Sequence, residues 1–358
     1  MKDVYKYFDK ATFFALLALS CTGIVIIYSA SRGMNQVYWS KQLLWLGVAL
    51  VAFMIFFKVK TETAFRFSLL VLIVLCFVLG IQAIAGTLVA GTRSWIKTGL
   101  FNIQISELVK IPLALVLARY LSKVPYVDWI EIFKIAGIIV IPFFLIATQP
   151  DLGTAFMFFA YFVAALLLKR TRIILLVSLV VIALLSGVAG WYFVLKDYQR
   201  GRITSYLDPE KHRKTSGYQI IQSKIAIGSG GLTGKGYLNG TQSQYKFLPT
   251  RHTDFIVSVL GEEFGFIGVS FLFLMFFILF YRQYNFKVQS DEEFYFVYLY
   301  NSIILFQFLI NILMTIGLVP IMGVPLPFVS YGGSSLIAFF IGEAIVFRIK
   351  ISSYLNEY

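Results

Sequence analysis

The chain has 358 residues, of which 59% are apolar and only 14% charged, against roughly 45–50% and 25% in ordinary soluble domains. That balance excludes a soluble globular protein and defines an integral membrane protein. The net charge of +13 does not imply a nucleic-acid partner, because membrane proteins gather basic residues at the bilayer faces.

Crossing the hydrocarbon layer takes about 20 apolar residues as a helix. Ala11 to Ser31, Phe67 to Gly91, Ile135 to Pro150, Leu152 to Leu168 and Ile173 to Leu195 meet or approach that length without a charged residue. From Phe294 to Gly342 no Asp, Glu, Lys or Arg occurs, and Pro320, Pro325 and Pro327 divide that region into two spans. These runs lack the alternation of a barrel strand, so the predicted fold is all-α and polytopic, one domain over residues 1–358 with ten transmembrane helices. No small-residue cleavage site follows the first span, which is read as retained. Cys21 and Cys76 fall inside spans as small buried residues.

Basic residues set the orientation. With a cytoplasmic N-terminus, fifteen Lys and Arg fall in inside segments, against Arg32, Lys41, Arg93 and Lys97 in the short outside loops. Both termini are therefore expected in the cytoplasm. The long segment 196–253, between helices 7 and 8, becomes a large extracytoplasmic loop.

Taken in order, the first two spans carry no chemistry. After span three, GTLVAGTRSWIKTGLFNIQISE places Arg93, Trp95 and Lys97 on the outer side. Ser106 is the expected N-cap of span four, and Glu107 and Lys110 share a helical face at i, i+3. Such a pair either fixes helix packing or lines a polar groove. Asp151 follows Pro150 between spans five and six, where a helix start and a substrate contact explain it equally well.

The long loop contains Tyr218 to Ile227, compatible with a short amphipathic helix, and then Gly228, Gly230, Gly231, Gly234 and Gly236 around Lys235. Clustered glycines let backbone N–H groups converge on an anion. Ser229 and Gly236 stand where a P-loop needs Gly and Ser or Thr, so no nucleotide motif is present. Next comes PTRHTDFIVSVLGEEFGFIG, Pro249 to Gly268, which sets His252, Asp254, Glu262 and Glu263 ahead of the apolar run Phe264 to Tyr281. In span nine Gln307 and Asn311, at i, i+4, suit hydrogen bonds between helices.

No zinc spacing and no Ser-His-Asp order appears. An outer-face transfer reaction has no ATP, so its substrate must carry its own leaving group. A membrane-anchored pyrophosphate supplies one, with cations to meet the charge it develops. Asp254 is the best-placed general base, in the first turn of its helix, with His252 second.

Several motifs in order resemble the shape, elongation, division and sporulation (SEDS) glycosyltransferases. They are Gln149 to Thr154 (QPDLGT), Ala226 to Gly236 (AIGSGGLTGKG), Gly240 to Gln244 (GTQSQ), His252 to Gly268 (HTDFIVSVLGEEFGFIG) and Pro325 to Ser335 (PLPFVSYGGSS). The resemblance covers essentially the whole chain and lies with the rod-shape, elongation branch rather than the division branch. It implies polymerisation of lipid II into peptidoglycan glycan strands outside the cytoplasmic membrane, with Asp254 as the catalytic aspartate. Residues expected at the substrate are Arg93, Glu107, Lys110, Asp151, Arg202, Lys235, His252 and Ser330. The implied partners are lipid II, the nascent glycan strand, a class B penicillin-binding protein acting as transpeptidase, and the elongation machinery. A divalent cation, Mg or Mn, would help neutralise the pyrophosphate, although the sequence has no dedicated site.

This chain departs from the family at Gln104-Ile105-Ser106-Glu107, for Gln-Pro-Ser-Glu, and at Leu248-Pro249-Thr250, for Leu-Pro-Glu. Two other functions use the same features: a flippase for a lipid-linked precursor, and a non-catalytic scaffold for a transpeptidase. Alternating access calls for ionisable residues on both sides of the midplane, whereas these concentrate on the outer side.

Overall fold

The computed structural model describes residues 7–32, 37–86, 93–97, 102–193, 200–201, 204, 206–208, 210–211 and 216–355. Its first half contains α1 (Lys10–Ser31), α2 (Tyr38–Phe57), α3 (Thr61–Ala85), a small antiparallel ribbon of β1 (Trp95–Lys97) and β2 (Asn102–Gln104), α4 (Ile105–Lys123) and α5 (Trp129–Ala147). Then come α6 (Leu152–Met157), α7 (Phe159–Leu168), α8 (Ile173–Phe193), α9 (Ser216–Gly230), α10 (Thr241–Gln244), α11 (Ile256–Tyr284), α12 (Asp291–Thr315) and α13 (Gly333–Leu355).

Six of these, α1, α2, α3, α5, α11 and α12, are long and apolar enough to cross a membrane. Of the other segments expected to span, α8 is apolar from Ile173 to Phe193, whereas α4, the α6–α7 pair and α13 are interrupted or carry charges. Helix α4 carries Glu107, Lys110, Arg119 and Lys123 and contains Pro112, while α6 and α7 are separated at Phe158. The protein is therefore a mostly helical, multi-pass membrane protein.

Small residues let the rods approach closely, as the packing of membrane helices requires. A Cβ at Gly333 of α13 would lie 2.1 Å from the Trp45 ring of α2, and one at Gly342 would lie 2.2 Å from Tyr300 of α12. Phe13, Phe53, Phe57 and Phe347 fill the α1–α2–α13 seam with stacked, tilted and edge-on rings.

The two chain ends meet. Asp9 caps α1, accepting from Thr12 N at 3.2 Å, and is gripped by Arg282 at the end of α11 (3.1 and 3.0 Å) and by Lys350 of α13. Burial acts to raise the Asp9 carboxyl, but the hydrogen bonds from Arg282, Lys350 and Thr12 prevail and hold it well below the usual carboxylate range. Tyr7 stacks on Tyr354, with centroids 5.4 Å apart.

At the other end of α1, Gln244 Nε2 donates to Ser29 O at 3.2 Å, and the buried Arg251 donates through Nε to Ala30 O. The segment 216–255 thus packs on that end of the bundle, where Ser223 Oγ also donates to Thr315 O of α12 at 2.5 Å. Helix α9 covers the stretch expected to be amphipathic and extends it at both ends.

Ser106 is not the N-cap of α4. Strand β2 runs directly into the helix, so Gln104 holds the cap position without a side-chain cap and Ser106 Oγ is buried with no partner. The helix end is instead tied down by Gln104 N, which donates to Ser334 Oγ at 2.9 Å.

Candidate active site

Helix α11 is two helices joined at Gly265, whose φ of 62° and ψ of −157° only glycine adopts readily. The break frees carbonyls at the end of the first half and N–H groups at the start of the second, and the glycine cluster satisfies both sets. Lys235 N and Gly236 N donate to the carbonyls of Glu262 and Glu263 at 3.0 Å, while Phe266 N and Ile267 N donate to Gly231 O and Leu232 O at 2.9 and 3.1 Å. The loop lies so close that a Cβ at Gly234 would be 2.1 Å from Glu263 O. Two N–H groups that could have cradled an anion are spent on this splice.

Lys235 completes the splice with its side chain. Its Nζ lies 2.8 Å from Glu262 Oε1, and that fully buried carboxylate also accepts from Thr241 Oγ1 (3.0 Å), Gln242 N (2.8 Å) and Ser243 N (3.2 Å). Glu263 accepts from Ser29 Oγ of α1. The acidic pair thus anchors the first half of α11 to α10 and α1.

Asp254 precedes this half-helix. It lies outside the first helical turn, because the N–H groups of Thr253, Asp254 and Phe255 all turn back onto Thr250 O at 3.1–3.3 Å. The half-buried Asp254 faces the segment joining α12 to α13: a Cβ at Gly323 would sit 3.8 Å from its Oδ2. Ser330 Oγ accepts from Leu326 N (2.9 Å) and donates to Thr253 O (2.6 Å), so its hydroxyl ties the Asp254 turn to this segment. Gln42 of α2 holds the same segment, donating to Ser330 O and accepting from Gly332 N.

Two amides one helical turn apart on α12 bind this region from below. Asn311 Nδ2 donates to Asp254 O at 3.0 Å and to Val324 O at 2.7 Å; Gln307 Nε2 donates to Pro325 O at 3.2 Å. Their amide protons go to loop carbonyls, and the expected helix-to-helix bond is made by Gln307 alone, to Lys110 of α4. Gln307 Oε1 in turn accepts from Lys110 Nζ at 3.2 Å, and Lys110 bridges both oxygens of Glu107 at 2.8 Å. The Glu107–Lys110 side chains are 4% and 0% exposed, so the charges neutralise each other inside the bundle. Phe339 presents its ring face 5.3 Å from the ammonium.

Asp151 caps α6, accepting from Thr154 N at 3.2 Å, and takes a second bond from Gln104 Nε2 at 2.8 Å. Burial raises its carboxyl, with Glu107 adding to the effect, against hydrogen bonds from Thr154 and Ser94. Gly153 in the next turn meets Met322 O so closely that a Cβ would be 2.1 Å away. The segment that faces Asp254 therefore also roofs α6. Arg93 lies at this edge, its N–H on Gln149 O (3.2 Å) and Nη1 on Ala83 O (3.4 Å). Arg202 lies outside the described residues.

His252 stacks on Tyr38, with centroids 4.3 Å apart, and its Nδ1 is buried without a hydrogen-bond partner. Burial and the adjacent Arg251 charge press its pKa from 6.5 down to about 4, which weakens it as a base at neutral pH. Among the described residues no group of three or more His, Cys, Asp or Glu could hold a metal ion, so no step is derived through one. An apolar cleft of about 360 Å³ runs between α3, α4 and α13, past Leu75, Leu108, Ile111 and Ile341.

The sequence reading missed Arg251, Gln42 and the role of Asn311. Their signal was faint: polar side chains in a membrane protein, where each needs a partner.

Fold and site together define a polytopic helical membrane protein with its polar machinery gathered around two irregular segments at one end of the bundle. The chain belongs to the family of FtsW, RodA and SpoVE, described as cell cycle proteins, whose profile matches residues 10–355. It is 35% identical over 352 residues to the peptidoglycan glycosyltransferase MrdB of Escherichia coli strain K12, covering 96% of this chain and 93% of that one. It is 33% identical to the peptidoglycan glycosyltransferase RodA of Treponema pallidum, over 96% of this chain and 97% of that protein. Among solved structures it is similar to a chain described under structural coordination of polymerization and crosslinking by a peptidoglycan synthase complex. The TM-score is 0.85 at 27% identity, over 97% of this chain and 98% of that one. The fold also matches the rod shape determining protein RodA of Thermus thermophilus, with a TM-score of 0.72, 24% identity and the same coverage.

Proposed function

We propose that this protein is a peptidoglycan glycosyltransferase that polymerises lipid II on the outer face of the cytoplasmic membrane during cell elongation. Near-full-length relatives bearing that activity in their names support the reaction class. The observation that carries the site is Asp254 in a half-buried turn whose backbone is fixed by Asn311 and Ser330. A base held this way meets the acceptor in a constant geometry.

In this reading Asp254 takes the proton of the sugar 4-hydroxyl of one lipid II as that oxygen attacks the anomeric carbon of the lipid-linked strand. The anomeric C–O bond to pyrophosphate breaks with inversion, and undecaprenyl pyrophosphate leaves carrying the electron pair. Arg93 and Arg202 are assigned to its phosphates. Lys235 joins them only by exchanging Glu262 for the leaving group, and a divalent cation would travel with the pyrophosphate rather than reside in the protein. Glu107, Lys110, Asp151, His252 and Ser330 act by shaping the site. The apolar cleft beside α4 suits a polyprenyl chain.

The same proposal places ten spans in the membrane, both termini in the cytoplasm and residues 196–253 outside. The joined termini at Asp9, Arg282 and Lys350, at the opposite end of α1 from segment 216–255, support it. A class B penicillin-binding protein is the proposed partner, in keeping with the synthase complex to which a structural relative belongs. The test is Asp254→Asn in purified, folded protein: lipid II polymerisation should fall by about 10²–10⁴-fold. A wild-type rate refutes the assignment.

A further inference from the structure

We infer that Asn311 is the positioning residue of the Asp254 base, setting the spacing between the turn that carries the carboxylate and the segment that faces it. The inference rests on the proposed role of Asp254 and extends it to a side chain that does not touch substrate.

An asparagine side chain can hold two acceptors at once. Its Nδ2 has two protons; one goes to Asp254 O at 3.0 Å and the other to Val324 O at 2.7 Å. Those carbonyls belong to different chain segments. Val324 follows Gly323, the residue packed against the Asp254 carboxylate. One planar group thus fixes both walls of the gap in which the acceptor hydroxyl must sit.

The clamp is itself rigidly mounted. Asn311 is fully buried on α12, one turn from Gln307, which grips the next carbonyl, Pro325 O, and leans on Lys110. From the opposite side Ser330 holds Thr253 O, the carbonyl immediately before that of Asp254. Two successive carbonyls of the base's turn are therefore fixed from two elements. Satisfying two buried carbonyls also serves stability, so the positioning role has to be read from kcat in variants that still fold. Misplacing a reacting group by about 1 Å can cost on the order of 10²-fold in rate.

The experiment compares Asn311→Asp and Asn311→Ser with wild type and Asp254→Asn in a lipid II polymerisation assay on purified protein, with thermal unfolding recorded for each. The aspartate has the asparagine's shape but, ionised, donates nothing; the serine is small and neutral, with one proton. The expected result is a fall in kcat of about 10–100-fold for Asn311→Asp, with KM within about twofold of wild type. Asn311→Gln, which keeps the two donors, should recover more of kcat than Asn311→Asp. A wild-type kcat in folded Asn311→Asp and Asn311→Ser overturns the inference, as does a loss carried by KM. If both variants fail to fold, Asn311 holds the bundle rather than the base, and the inference fails as well. Asp254→Asn separates the two levels: a normal rate there sinks the catalytic assignment itself, whereas an inactive Asp254→Asn beside an unaffected Asn311→Asp sinks only the positioning role.

Discussion

Replacing Lys110 by Met asks what the buried ion pair in α4 is for. In the native protein the ammonium gives its three protons to Glu107 Oε1, Glu107 Oε2 and Gln307 Oε1, all within 3.2 Å. Lys110→Met leaves the Glu107 carboxylate 4% exposed and without a counter-charge, a change that costs about 3–5 kcal/mol for a buried pair. Glu107→Gln should cost about as much, about 3–5 kcal/mol, because Lys110, 0% exposed, then keeps its charge without a counter-ion and loses one of its two Glu107 acceptors. The double variant Glu107→Gln, Lys110→Met removes both charges and should return to within about 1 kcal/mol of wild type. Denaturation in detergent measures the three stabilities, and lipid II polymerisation reads function in the same samples. A single Lys110→Met variant no less stable than the double one would refute the reasoning. A stable but inactive double variant would place the pair at the substrate instead of in the packing.

Three further outcomes follow from the geometry. Gly265→Ala should not fold well, since a Cβ would lie 2.4 Å from Gly234 N and 2.6 Å from Leu232 O; detergent-purified yield and unfolding temperature report it, and a normal yield refutes the splice. Glu262→Ala strands four donors and should cost about 3 kcal/mol or more, whereas Lys235→Met leaves the carboxylate with three donors and should cost about 1.5–3 kcal/mol. If Lys235 also meets phosphate, its variant will raise KM. For His252, a folded pKa of about 4 against 6.5 means the unfolded chain binds more protons between those values, so stability is complete above pH 6.5 and declines as pH falls toward 4. The loss is at most about 3 kcal/mol, and His252→Gln should flatten that limb of the pH–stability curve.

Six of the expected spans were legible because a membrane helix has to satisfy its backbone internally and cover itself in apolar side chains, which leaves long uncharged runs in the text. The amphipathic stretch at Tyr218 and the Glu107–Lys110 spacing were legible for the same local reason. The break at Gly265 was not: GEEFGFIG reads as continuous helix, and only the docked loop makes the break stable. Ser106 looked like an N-cap because serine before a helix usually is one, but a strand entering the helix took the position. The clustered glycines admitted a flexible turn or an anion cradle and serve close backbone contact, since all three uses need the same absence of a side chain. Asn311 was seen and its partner was not, because Asp254 is 57 positions away.

The splice at Gly265 also bears on how this chain tolerates change. Because the half-helix behind Asp254 is bonded to Gly231–Gly236, α10 and α1, its register does not descend from the membrane-crossing half of α11. An insertion or a lipid-induced tilt beyond Ile267 is buffered by the bonds from Phe266 and Ile267 to Gly231 and Leu232, which hold the start of the second half to the same loop. A one-residue deletion between Gly236 and Thr250 has no such buffer. For chimeras with relatives, the unit that has to be moved intact is therefore 216–265, a cassette that carries its own half-helix.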